Sequence, residues 1–247
     1  MKSRITLYYV IVGTALLVPR LVSTDCRAQE NTVVEVSRGF TDLKDGTVQD
    51  STTGLIWQKE DSDTTMTFSS AKAYASTLSI GGFRDWRLPT KFEIHLLYNN
   101  LSWKEVDHRN PIFGWGEGDW YWSSKIAADL EIIGSAGSLP IAVEKNMVDC
   151  KSFKNEYSAW SHPDGKNLVR CVRGRVSRKY IAKWSKQLSD KDSSKRWEAL
   201  LTLGNIQGPE AEEALSAIKQ LLNDSDNQIK EEAKKTVEEI EKRSVRQ

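Results

Sequence analysis

The chain has 247 residues, 39% of them hydrophobic and 28% charged, with a net charge of +1. That balance excludes a disordered polar chain and a protein made of membrane spans, and the length suits one large domain or two modest ones. The near-neutral total hides an uneven distribution, because residues 166–186 hold eight basic residues and no acidic one, between two stretches in which acids outnumber bases.

In chain order, the first element is the apolar run in "MKSRITLYYVIVGTALLV", behind Lys2 and Arg4. It is too short to cross a bilayer comfortably and predicts a signal peptide over residues 1–28, cleaved after Ala28. Two alternatives stay open. One is a lipoprotein signal ending at Cys26, where Asp25 is a poor fit, and the other is an uncleaved membrane anchor. Each places the protein outside the cytoplasm: periplasmic, on the cell surface or secreted. Without Cys26, Cys150 and Cys171 remain. An even pair in an oxidising compartment predicts a disulfide, and the competing reading is two buried thiols.

Residues 33–174 read as mixed α and β. "DGTVQDSTTGLIW" is strand, turn, strand, with Asp45-Gly46 and Gly54 as turn points. "TFSSAKAYASTLS" has Ala71, Tyr74, Ala75 and Leu78 at helical spacing, with Ser69 or Ser70 as cap. "TKFEIHLLYNNL" opens on Thr90 with Glu93 three residues later, a capping box. "LIWQK", "WYWSS", "LPIAVE" and "LVRCVRG" read as strands. Within "GGFRDWRLPT", the glycines predict a turn, and Trp86 and Leu88 alternate with Asp85 and Arg87 as in a short strand. Trp57, Trp86 and Trp122 are expected in the core.

After Gly174 the composition turns to Ala, Leu, Glu and Lys. Residues 177–247 contain a repeat: Asp190, Asp192, Ala199, Leu203 and Ile206 recur 34 residues on as Asp224, Asp226, Ala233, Val237 and Ile240. Asp192 and Asp226 are placed to cap helices. Fixed-period helix pairs resemble HEAT-like repeats. Two repeats are short for a free solenoid, so the segment is expected to dock on the first domain through Tyr180, Ile181, Trp184 and Leu188.

The ordered set "DGTVQDSTTGLIWQK", "GGFRDWRLPTKFEI", "NPIF", "YWSS" and "LVRCVRG" resembles the bacterial domain family named for the C-terminal domain of a Legionella collagen-like adhesin. The resemblance implies a C-type-lectin-like α+β fold, two helices beside a twisted, mostly antiparallel sheet, followed here by the small all-α segment. It also implies extracytoplasmic recognition, since the named member binds sulfated polysaccharide. One departure is visible. The family commonly has a cysteine in the helix before the Gly-Gly turn, where "AYASTL" has Ala75 and Ser76, so Cys150 becomes the candidate substitute partner for Cys171.

His95, His108 and His162 show no zinc-ligand spacing, and there is no C-x-x-C, G-x-S-x-G or phosphate loop. No enzyme, metal or cofactor is therefore expected. The expected function is an exported binding module for an anionic or other polysaccharide or envelope polymer. Its candidate residues are an aromatic loop (Trp103, His108, Arg109, Trp115, Glu117, Asp119) and a basic stripe (Arg173, Arg175, Arg178, Lys179, with Arg170 beside them). Trp57, Asp85, Trp86, Arg87, Pro89, Thr90 and Glu93 are expected to hold the fold. The alternative is an envelope scaffold in which the helical repeats bind a protein. Nucleic acid is not expected, and a membrane only through an uncleaved signal or a lipidated Cys26.

Overall fold

The short apolar runs and glycine turns of the first region fold into a five-stranded antiparallel sheet. Its strands are β1 (Val36–Ser37), β2 (Phe40–Asp42), β3 (Thr47–Asp50), β4 (Ile56–Gln58) and β10 (Val172–Arg173), in the order β1-β2-β3-β4-β10. The computed structural model describes residues 36–37, 39–100, 112–114, 120–127, 131–133, 141–152, 158–206 and 210–244. The expected signal peptide and all six residues of the aromatic loop lie outside these.

A second antiparallel sheet joins β5 (Trp120–Ile126), β8 (Val148–Ser152) and β9 (Ser158–Ser161), and β6 (Glu131–Ile133) pairs with β7 (Ile141–Val143). Two helices accompany them, α1 (Phe68–Thr77) and α2 (Lys91–Asn100). The α+β class thus holds. The cap of α1 is Thr67, whose side chain accepts from the Ser70 amide, and not Ser69 or Ser70. Thr67 has the extended backbone a cap needs, whereas both serines are already inside the first turn. The capping box of α2 forms as read: Glu93 N–H donates to Thr90 Oγ1 at 3.1 Å and Thr90 N–H to Glu93 Oε2 at 2.8 Å.

The Gly81–Thr90 segment is not a regular strand. Gly81 and Gly82 (φ 58° and 75°) turn the chain, and a side chain on Gly81 would meet Thr47 Cγ2 at 2.7 Å. An Ile80–Phe83 bridge closes the turn, and further on Arg87 bridges Val172, exchanging both backbone hydrogen bonds at 3.0 Å. Trp86 and Leu88 still point inward and Asp85 outward, so the alternation survives without a ladder.

The helical region comprises α3 (Arg178–Gln187), α4 (Ser193–Gly204), α5 (Glu210–Ile218) with a 3-10 turn at Lys219–Asn223, and α6 (Asn227–Ser244). The sequence repeat is visible as geometry, since α4 and α6 begin 34 residues apart. Asp192 accepts from the Ser194 amide at 2.9 Å and Asp226 from the Gln228 amide at 2.8 Å. Ala199, Leu203, Ile206, Ala233, Val237 and Ile240 are all buried. Arg196 ties the two units together, its Nε and Nη2 each 2.8 Å from the Asp224 carboxylate. No helix among the described residues is long and apolar enough to cross a membrane.

Two hydrophobic clusters fill the interior. One packs α1 against Trp86, Trp122, Cys150 and Cys171. The other runs from Phe40, Trp57 and Leu97 through Tyr180, Ile181 and Leu188 to Ile240. The change of composition at Gly174 is therefore not a break in the core, and the described residues on either side of it fall in one compact unit. The α3 start is clamped to the first sheet, with Ser177 N–H donating to Thr53 O at 2.7 Å.

The Cys150–Cys171 disulfide is not formed. Both are free and buried. Each is held by its own strand pairing: Cys150 stands in mid-β8 opposite Trp122 and Ala159, and its thiol donates to Ala159 O at 3.4 Å. Cys171 enters β10 with its amide donating to Gln58 Oε1 at 3.0 Å. Burial pushes both thiols up to about 12, so neither ionises near neutral pH.

Asp42 at the end of β2 gives a pH test of the first sheet. Its carboxylate is fully buried, which alone would raise its pKa. It accepts from Lys44 N–H at 2.8 Å and from the Lys44 and Lys59 ammonium groups at 2.9 Å each, and these outweigh burial and lower it to about 2. The folded pKa lies below the unfolded one, so this stabilisation is present above about pH 4 and is lost as the pH falls towards 2. Asp42→Asn is expected to cost about 2 kcal/mol at pH 7 in urea unfolding, with the difference from wild type shrinking below pH 4.

Candidate functional site

Helical spacing places Phe68, Lys72, Ala75 and Ser76 on one side of α1. Opposite stands the Trp86–Thr90 segment, and the capping box sets Phe92 and Glu93 in the first turn of α2. Between them lies a cavity of about 590 Å³, closed further by Ser124 and Ile126 of β5, by Arg175 and Val176, and by Glu210 at the start of α5. That volume is within the range of small-ligand sites, roughly 300–1,000 Å³.

Its walls are aromatic and aliphatic, from Phe68, Trp86, Leu88 and Phe92, and Ile126 is 45% exposed at the edge. The Trp86 indole N–H is buried and has no hydrogen-bond partner among the described residues. Its rim is charged. The Lys72 ammonium sits 5.0 Å from the Phe68 ring centroid. Arg87 forks onto Glu93, Nη1 to Oε2 at 2.7 Å and Nη2 to Oε1 at 2.6 Å, and Nη2 also donates to Gly174 O at 3.0 Å. Burial works against the Arg87 charge, but the Glu93 carboxylate outweighs it and raises its pKa further.

Arg175 is held more loosely. It makes one 3.3 Å contact with Glu210 and its side chain is 67% exposed, a pair of the weak surface kind. Lys72 and Arg175 are thus the rim cations an incoming anion can reach without breaking a forked bond, while the aromatic walls offer flat faces to an apolar ring surface.

The basic stripe does not act as one row. Arg170 is a core residue: its guanidinium donates to the carbonyls of Gln58, Lys59 and Gly114 and lies 3.6 Å from the Asp61 carboxylate. Arg173 forks onto Asp85, Nε to Oδ1 at 2.7 Å and Nη2 to Oδ2 at 3.1 Å, and covers the Phe83 ring, centroid 3.6 Å away. This fork lowers the Asp85 pKa. Arg178 reaches Glu213 at 2.9 Å, and Lys179 is exposed on α3. Only Arg175 of the stripe lines the cavity.

Of the motif residues, Trp86, Arg87, Thr90 and Glu93 line the cavity, Trp57 and Pro89 are buried elsewhere, and Asp85 is exposed. Sequence reasoning passed over Phe68, Lys72 and Phe92. Their signal was the helical spacing of α1 and the position of Phe92 just inside the capping box. Glu210 carried none, because its place depends on how α5 packs. Among the described residues no group of three or more His, Cys, Asp or Glu could hold a metal ion.

The family model of the Lcl C-terminal domain matches residues 46–173, from the turn before β3 to the end of β10. No curated protein matches the chain.

Proposed function

The chain belongs to the Lcl C-terminal domain family, and from that premise we propose a non-enzymatic, exported binding module that takes an acidic polysaccharide into the cavity beside Trp86. The observation that carries this reading is the pairing, in one cavity, of aromatic walls with the loosely held cations Lys72 and Arg175. A sugar ring packs its C–H face on an aromatic wall, and a carboxylate or sulfate on that ring meets the ammonium or guanidinium at the rim. In this reading the first region is C-type-lectin-like and the helices are HEAT-like repeats. The 34-residue recurrence and the Arg196–Asp224 fork support the second assignment. The repeats then brace the cavity, through Glu210 at its rim and Glu213 on Arg178.

The test is calorimetric titration of the full chain with a heparin-derived sulfated oligosaccharide and with a neutral one of equal length. Binding of the sulfated sugar is expected, weakening with salt, and Lys72→Ala with Arg175→Ala is expected to weaken it at least about tenfold at unchanged melting temperature. Equal affinity for the neutral sugar, or no binding of the sulfated one at low salt, contradicts the reading.

A further inference from the structure

A second cavity, of about 250 Å³, lies between α2 and the β8–β9 edge and shares only Phe92 with the first. A helix normally meets a sheet through apolar side chains. Here the sheet contributes Asp149 and Lys151 of β8, which are 1% and 4% exposed, and α2 contributes Lys91 and His95. Burying such ions costs several kcal/mol each unless they are well matched. Asp149 is matched: its Oδ1 is 3.0 Å from the Lys91 ammonium and its Oδ2 accepts from Ser123 Oγ at 3.0 Å. The Lys151 ammonium lies 4.4 Å from the Tyr98 ring centroid.

Two ammonium groups, an imidazole and the Asp149 carboxylate therefore face a partly open space, with Ser158, Asn205 and the apolar Phe92 and Ile94 in its lining. The half-buried Trp160, across from Asp149, has the Lys91 and Lys125 ammonium groups each 5.6 Å from its ring centroid, so positive charge continues along this edge. His95 keeps part of its ring in solvent. Partial burial, then Lys151 and Lys91, push its pKa down, and Asp149 opposes them. The Asp149 carboxylate in this lining is already engaged by Lys91 and Ser123, so an entering oxyanion meets N–H donors of Lys91, His95 and Lys151.

We propose that Lys91, His95 and Lys151 form an oxyanion site, separate from the cavity at Trp86, for a group of the size and charge of sulfate or a carboxylate. The reading does not depend on that first cavity being occupied. The oxyanion is either free in solution or pendant on a sugar, and it accepts from the N–H donors of these side chains.

The His95 imidazole is the reporter. Its pKa is measured by NMR in the histidine-labelled full chain, with His95→Asn assigning the signal, in sodium chloride, in sodium sulfate at equal ionic strength, and in chloride with a sulfated disaccharide. The expected result is a rise of about one unit in sulfate, as for an opposite charge brought within 4–6 Å, which Lys151→Gln removes. A rise with the disaccharide as well identifies a pendant group, and a rise with sulfate alone identifies a free anion. Coincident values in all three solutions overturn the proposal, as does a response that survives in Lys151→Gln. Should Lys151→Gln not fold, Lys91→Gln takes its place in the same comparison.

Discussion

Arg170→Met is expected to destabilise the protein by about 3–5 kcal/mol, the cost of removing one partner of a buried charge pair. The Arg170 side chain is fully buried, and that of Asp61 beside it is 1% exposed. Truncation removes the hydrogen bonds from the guanidinium to the Gln58, Lys59 and Gly114 carbonyls and its positive charge from beside the Asp61 carboxylate. Tyr121 still donates to Asp61 at 2.6 Å, which shares the carboxylate's charge but cannot neutralise it. Burial, and the Asp61 carboxylate, keep that phenol protonated far above its usual range. The guanidinium also packs between aromatic rings, 5.0 Å from the Phe113 centroid and 5.8 Å from that of Tyr121. Lysine supplies charge without the planar fork, so Arg170→Lys is expected to recover only part of the loss. Thermal unfolding followed by circular dichroism checks this. At about 2–4 °C per kcal/mol for a chain of this size, the methionine variant should melt roughly 6–20 °C below wild type. A melting point within about 2 °C of wild type contradicts the assignment of Arg170 as the core cation.

That residue also marks where reading the sequence stops. Arginines alternating through "RCVRGR" look like one stripe on a strand, yet Arg170, Arg173 and Arg175 go to a core, a surface fork and a cavity rim. What separates them is the identity of their partners, and those partners are backbone carbonyls and acids far along the chain. Local chemistry was legible by contrast. The Thr90–Glu93 box needs only three residues of spacing, the Gly81-Gly82 turn needs only missing side chains, and the 34-residue recurrence placed the capped starts of α4 and α6. The same locality explains the failures. Compartment and an even count argued for a Cys150–Cys171 bond, but tertiary placement decides where two thiols point: Cys150 sits in β8 with its thiol on Ala159 O, and Cys171 sits just before β10 with its amide on Gln58. The cavity beside Trp86 is assembled from α1, the Gly81–Thr90 segment, α2, β5 and α5, so no short stretch announces it. Trp86 was readable as core, and at 4% exposed it is core; that it is also a wall of a cavity depends on Phe68 and Phe92 standing across from it.

Arg87 belongs to both categories, and one variant separates them. Arg87→Ala removes the fork onto Glu93, the bond to Gly174 O and a 3.3 Å contact with Leu88 O. Glu93, 5% exposed, is left with the Thr90 amide, and the motif loses its tie to the end of β10. Charge-assisted hydrogen bonds to a buried carboxylate contribute about 1.5–3 kcal/mol, so a loss of about 2–3 kcal/mol and a melting point lower by roughly 5–10 °C are expected. Glu93→Gln should cost less, because glutamine can still accept the Thr90 bond, and the double variant should cost less than the two added together, since both changes break one contact. Ligand affinity measured well below the melting point is the second readout. The donors of Arg87 are already committed to Glu93 and Gly174, so an oligosaccharide in the cavity gains its charge contacts from Lys72 and Arg175 instead, and Arg87→Ala should weaken binding less than tenfold. A variant that melts with wild type but no longer binds would reverse the division, making Arg87 the cation that meets the ligand and Glu93 the group that aims it.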